Sequence, residues 1–222
     1  MPLYSKLASG EGFVHAFSTR GESDADMVRI VGAPVVQVQQ VHGARAVEVD
    51  AAVGAEADAV VARGELPAGA RGLAVGVRVA DCVPLLLADR RSGDVAAVHA
   101  GWRGVVAGVV RASIDALARE RGSLVAAIGP CIGACCFEVG RDVADQIVGA
   151  CGDGRVLVWE ARDKAYVDLR AAVRAQLLAL GLARAHIDDV PGCTKHEGER
   201  FHSYRRDGAG SGRMLAAIAP RR

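Results

Sequence analysis

A chain of 222 residues, 51% hydrophobic and 24% charged, has the composition of a folded globular protein and excludes an intrinsically disordered one. Its 27 Lys+Arg against 26 Asp+Glu leave a net charge of +1, so no global field recruits a nucleic-acid backbone or an anionic membrane surface. No uncharged apolar run approaches the roughly 20 residues of a membrane helix, and the opening MPLYSKLASGEGF lacks the basic and apolar regions of a secretion signal; a cytoplasmic protein is expected. Six cysteines are too sparse for a disulfide scaffold and, in a reducing compartment, read as thiols, thiolates or metal ligands.

Along the chain, apolar runs at 35–41, 57–62, 72–80, 84–89 and 94–100 read as strands, the first by alternation of Val36 and Val38 with Gln37 and Gln39, the fully apolar ones as strands buried on both faces. After His99 the pattern becomes helical: Val105, Val106, Val109, Val110, Ile114 and Leu117 with Arg111, Asp115 and Arg119 between them, and Gly122 as the stop. A strand at 124–130 follows, then a helix at 139–151 ending near Gly152, then a helix capped by Asp168 with Val173, Leu177 and Leu180 on one face and Gly181 closing it. Strands at 186–190 and 213–220 finish the chain. Neither a repeat nor a linker divides it, so a single domain over 1–222 is expected, an α+β fold in which a mixed-sheet sandwich is flanked by helices.

Three segments place a metal-capable side chain at the end of an apolar strand beside a turn residue: Gln40-Val41-His42-Gly43, Ala80-Asp81-Cys82-Val83-Pro84 and His99-Ala100-Gly101-Trp102-Arg103-Gly104. His42, Cys82 and His99 make a His/Cys/His set that leaves the fourth tetrahedral position open, as catalytic zinc sites do. The same residues support a metal-free reading, with Cys82 as a thiolate nucleophile and His99 as its base. They also support a structural one, with hydrogen-bonded histidines and Cys82 as a small buried apolar side chain. Cys131, Cys135 and Cys136 lack further ligands nearby in sequence and read as a turn or cleft wall, Cys151 and Cys193 as packing residues, and His196 and His202 as members of a polar loop. The segment Phe201 to Arg213 concentrates cations and hydroxyls suited to a phosphate or carboxylate, with Tyr204 placed to stack on a base. No Walker loop or dinucleotide fingerprint occurs.

Taken in order, QVHG, ADCVP, HAGWRG, IGPCIG with FEVG, CT, and SYRRDG followed by GR resemble the multicopper polyphenol oxidase (laccase-type) family, also called the peptidoglycan editing factor family, whose members are regarded as zinc-dependent purine nucleoside phosphorylases. The resemblance covers residues 13 to 220. It implies one zinc on His42, Cys82 and His99, with copper the other candidate metal, and a fold related to cysteine-hydrolase toxins. It further implies phosphorolysis of adenosine, inosine and methylthioadenosine, with phosphate as co-substrate, and deamination of adenosine.

Within that reading Asp81 is the expected proton shuttle, Arg103 an anion contact, and Arg20, Tyr204 and Arg205 the substrate-binding residues. Relatives carry a longer stretch after the Thr-Arg pair; here Thr19-Arg20 is followed by only GESDADMVRIVGAPVVQVQ before QVHG. Three other functions fit the same residues: a peptidoglycan-precursor hydrolase using zinc or Cys82, a copper-dependent polyphenol oxidase, and a non-catalytic metal-binding regulatory module. A multicopper cluster would need more histidines than the six present.

Overall fold

The Val- and Ala-rich runs pair into a six-stranded sheet ordered β12 (Ile187–Asp189), β8 (Leu124–Ile128), β6 (Val83–Asp89), β7 (Val95–Ala100), β4 (Ala59–Ala62) and β3 (Ala46–Glu48). Its inner pairs are antiparallel and its two outer pairs parallel. The computed structural model describes residues 1–64, 72–117 and 121–220. A four-stranded sheet, β1 (His15–Phe17), β13 (Met214–Ile218), β5 (Ala74–Val79) and β2 (Val35–Val36), packs against the first face to face. A small antiparallel sheet of β10 (Leu157–Glu160), β11 (Lys164–Val167) and β9 (Glu138–Gly140) lies to the side.

Period-2 alternation sorts each apolar strand between two cores. From β6 and β8, Leu86, Ala88, Val125 and Ala127 join Phe17, Val75, Val77 and Ile218 in a core between the sheets. Their neighbours Leu85, Leu87, Leu124, Ala126 and Ile128 point to the opposite face, where they meet Val105, Val109, Ile114, Ile147, Val173 and Leu177. Those last six belong to α3 (Trp102–Ala107), α4 (Val109–Leu117), α5 (Arg141–Cys151) and α6 (Leu169–Ala179). On the outer face of the four-stranded sheet, Met27 and Val31 of α2 (Asp24–Val31) cover Ala16, Ala74, Leu215 and Ala217. The helix α1 (Lys6–Gly10) packs on β8 and β12, and α7 (Tyr204–Asp207) precedes the last strand.

The fold is thus the expected α+β sandwich, with several local departures. The strand expected at 35–41 pairs only at Val35–Val36 and through a bridge from Gln39 to Glu56. Beyond it the Gln40 side chain stands in for the ladder, donating to the Arg78 carbonyl at 2.8 Å and accepting from the Arg78 N–H at 2.8 Å. The helix expected from Val105 onward is two helices, broken where Gly108 adopts φ 91°, a left-handed turn that apolar spacing does not register. Arg119, expected on its polar face, lies outside the described residues, and Gly122 falls in a 3-10 turn, Arg121–Ser123. Val139 and Gly140, expected to open a helix, belong to β9 (Glu138–Gly140) instead, and α5 starts at Arg141.

The short stretch after Thr19-Arg20 folds as α2, closed by a capping box between Ser23 and Asp26. No helix of the described residues is long and apolar enough to cross a membrane.

Leu86 is 1% exposed and sits where the two sheets meet. Leu86→Ala is expected to lower unfolding free energy by about 2–5 kcal/mol, read as a shift of the urea midpoint at unchanged slope.

Candidate metal centre and cleft

The pairing register assembles the site. Ala59 pairs with Val98 and Val83 with Ala100, so the chain just before β4, the end of β7 and the chain just before β6 meet at one end of the six-stranded sheet. Those positions are Asp58, His99 and Cys82. His42 comes from the loop between β2 and β3, and the donor atoms of His42, Cys82 and His99 lie within 4.8 Å of one another. Cys82 Sγ is 3.9 Å from His42 Nε2, and the two imidazole rings meet edge to face with centroids 4.7 Å apart.

Asp58 organises the group. Its carboxylate is fully buried, accepts from His99 Nδ1 at 2.7 Å, and receives the backbone N–H groups of Val41, His42 and Gly43 at 3.3, 2.9 and 2.6 Å. The first bond fixes His99 with its other ring nitrogen turned away from the carboxylate, and the other three hold the loop that carries His42. Burial alone would raise the pKa of Asp58, but these hydrogen bonds outweigh it and hold the carboxyl below the usual carboxylate range.

The glycines of the HAGWRG segment leave room for this arrangement. A Cβ on Gly101 would lie 3.0 Å from His42 Cδ2 and 3.1 Å from Cys82 Sγ, inside the cradle of the three ligands. One on Gly104 would meet the Gly43 carbonyl at 2.8 Å and push α3 off the His42 loop. His42 and Asp81 are the two non-glycine residues with positive φ among the described residues, at 61° and 91°, so backbone strain concentrates at this site.

The ionisation states couple. Burial opposes ionisation of Cys82, yet hydrogen bonds and charge from His42 and His99 bring its thiol down to about 7. Burial likewise opposes protonation of His99, and Asp58 and Cys82 raise it to about 9. At neutral pH the metal-free site therefore contains an imidazolium between a carboxylate and a partly ionised thiol.

The triad lies in a cleft of about 810 Å³. Arg78, Arg103, Arg205 and Arg213 line it, as do Trp102, Phe137 and Tyr204. Several guanidinium groups are held against these rings, Arg103 over Trp102 at 4.6 Å, Arg205 over Phe137 at 5.6 Å and Arg213 over Tyr204 at 5.8 Å.

Asp81 also lines the cleft, but its carboxylate accepts from Thr194 Oγ1 at 2.6 Å and from the Arg205 N–H at 2.6 Å. With one hydrogen bond on each oxygen it ties the 190s loop and α7 to the sheet, at the cleft position expected for a proton shuttle. Arg20, expected to bind substrate, is not among the residues that line the cleft; its guanidinium donates to the Gly198 carbonyl at 2.9 Å. Tyr204 and Arg205 do line it. Arg213, from the cation-rich segment noted in the sequence, lines it too, whereas Asp58 and Arg78 were not singled out from sequence, although a lone carboxylate in the apolar run ADAVVA signals a buried acid that must be paired.

A family model described as multi-copper polyphenol oxidoreductase laccase matches residues 20–221. A protein named adenosine deaminase RL5, from an unknown prokaryotic organism, is 40% identical over 153 residues, which span 67% of this chain and 58% of that one. The purine nucleoside phosphorylase ORF3 of Streptomyces griseus is 40% identical over 179 residues, 79% of this chain and 70% of the relative. Among solved structures, Neisseria meningitidis protein NMB0706 superposes with a TM-score of 0.78 at 35% identity, covering 88% of this chain and 78% of that one.

Two outcomes follow from the geometry. Asp58→Ala is expected to weaken zinc binding by about 10–100-fold, measured by competition with a chromophoric chelator, because His99 loses its orienting partner and the His42 loop loses its anchor. Zinc affinity is also expected to rise about tenfold per pH unit between 7 and 9, where the ion must displace the His99 proton, and more steeply below 7, where the Cys82 proton must leave too. A flat profile across that range would contradict the coupling of these two groups.

Proposed function

Because the chain belongs to the multi-copper polyphenol oxidoreductase laccase family, we propose that it is a purine nucleoside phosphorylase, with adenosine deaminase activity, that works with one zinc ion held by His42, Cys82 and His99. The observation that carries this reading is the convergence of the three ligands, with Asp58 behind His99 and the Cβ-free Gly101 beside them, at the floor of a cleft walled by guanidinium groups and aromatic rings. The donor set fits the ion: two imidazoles and one thiolate suit a redox-inert zinc, and three protein ligands leave a position open to substrate or water. A zinc ion bound there would supply Lewis acidity.

The chain's own groups account for substrate recognition. Arg103 and Arg213 offer charge-assisted donors to the oxygens of phosphate, and Arg205 reinforces their field while its guanidinium donates to the Glu138 carbonyl at 2.8 Å. The faces of Trp102 and Tyr204 suit a purine ring, and Tyr204, 53% exposed, stands where an entering base would cover it. In phosphorolysis a phosphate oxygen bonds to the sugar C1′ as the C1′–N9 bond breaks, and the electron pair leaves with the purine. Holding phosphate and nucleoside together in one water-poor cleft makes that step effectively unimolecular. Asp81, through Thr194 and the backbone of Arg205, sets the height of the wall that carries Tyr204 and Arg205.

A second reading rests on the Cys82 thiol, held near 7 beside His99, which suits a hydrolase that uses Cys82 as nucleophile on a peptidoglycan precursor. Chelation separates the two, because it removes activity only in the zinc-dependent reading.

Zinc-loaded protein incubated with adenosine and phosphate is expected to yield adenine with ribose 1-phosphate, and inosine, both resolved by chromatography. His42→Ala is expected to lower both by about 100-fold or more. Arg103→Ala is expected to raise the phosphate KM more than it lowers kcat. Absence of both products above the His42→Ala background would overturn the nucleoside reading.

A further inference from the structure

Outside the cleft, the turn after β8 and the loop after β12 bring four more metal-capable side chains together, those of Cys135, Cys136, Cys193 and His196, with donor atoms all within 4.8 Å of one another. We propose that these four residues form a second, structural zinc site, closed by three thiolates and one imidazole. The inference is independent of the reading of the cleft.

Edge lengths carry the argument. A tetrahedral zinc with Zn–S near 2.3 Å and Zn–N near 2.0–2.1 Å requires its sulfurs to lie about 3.8 Å apart and each sulfur to lie about 3.6 Å from the nitrogen. Cys135 Sγ is 3.6 Å from Cys136 Sγ and 3.7 Å from Cys193 Sγ. His196 Nδ1 is 3.6 Å from Cys135 Sγ and 4.0 Å from Cys136 Sγ. These separations are those of four ligands around one ion, and all three cysteines are free thiols.

The surroundings supply a backbone donor to the sulfur of Cys193. The Gly133 N–H donates to Cys193 Sγ at 3.2 Å, and a Cβ on Gly133 would press on that sulfur at 3.3 Å. The Cys193 N–H is itself tied to Glu197 Oε1 at 2.7 Å, which fixes the Cys-x2-His turn that presents both ligands. Four protein ligands leave no open position, so the ion is structural where the cleft triad is open. On binding, each thiol releases its proton to solvent and the neutral imidazole adds without one.

The site would cross-link segments 135–136 and 193–196. Thr194 lies between two of the ligands, and its hydroxyl is the one that holds Asp81 beside Cys82. The second ion would thereby brace the cleft wall from behind without touching substrate.

The test measures zinc per chain by elemental analysis in protein purified from zinc-supplemented culture. Wild type is expected to hold about two ions, His42→Ala/Cys82→Ser about one, and Cys136→Ser/Cys193→Ser about one. Cobalt added to the His42→Ala/Cys82→Ser protein after a chelator has stripped its zinc is expected to give a thiolate charge-transfer band about three times as intense as one thiolate gives, since band strength follows the number of sulfur ligands. Should Cys136→Ser/Cys193→Ser not fold, His196→Ala, which alters one exposed ligand, serves in its place and is expected to lose the second ion to a chelator that wild type resists.

Unchanged zinc content in the second-site variants would overturn the proposal, as would a His42→Ala/Cys82→Ser protein that takes up no cobalt. So would a disulfide between Cys135 and Cys193, seen as a mass lower by two hydrogens in place of bound metal. Failure of the cleft site alone appears instead as one ion that survives His42→Ala/Cys82→Ser, so the two readings fail separately.

Discussion

The buried Asp58 carboxylate is the interaction on which the site depends. Among the described residues no arginine or lysine pairs with it; it is satisfied by one imidazole and three backbone N–H groups. Removing it would strip those donors of their partner, at a cost of about 1–3 kcal/mol for each that finds no substitute. The same four bonds tie the end of β7 to an irregular loop before β3. Its depressed pKa makes that junction a stabilising one above the ordinary carboxylate range. That contribution is lost as pH falls through the lower value Asp58 has in the folded protein.

Much of the sandwich was legible because its cause is periodic. Strands β4, β6, β7 and β8 are runs dominated by Val, Ala and Leu, buried on both faces, and their alternation feeds two cores at once. The parts that escaped have other causes. The overlong strand at 35–41 arose because Gln37, Gln39 and Gln40 alternate with valines, whereas the ladder there is completed by one glutamine side chain. The three-stranded sheet is short and half exposed, with Val158 and Trp159 facing solvent, so it carries little apolar signal.

The triad itself was legible, and grouped, from residue types at strand ends, and the resemblance strengthened the metal reading. Asp58 was not, because its partners stand 15–17 residues earlier and 41 later in the chain. Cys193 and His196 escaped for the same reason, standing 58 and 61 residues beyond Cys135. Strain marks the site more locally: a histidine and an aspartate at positive φ are held where an ordinary chain would place glycine or asparagine, and tertiary hydrogen bonds over-determine both.

The way the register builds the centre also orders events in time. His99 can face Asp58 only after β7 has paired with β4, and Cys82 joins them only after β6 has paired with β7. These pairings are non-local, and loop closure must precede the contacts that reward it. The three ligand positions therefore come together only once these strands have paired. In the proposed zinc-dependent reading, the ion would enter after that pairing, through the arginine-lined mouth of the cleft.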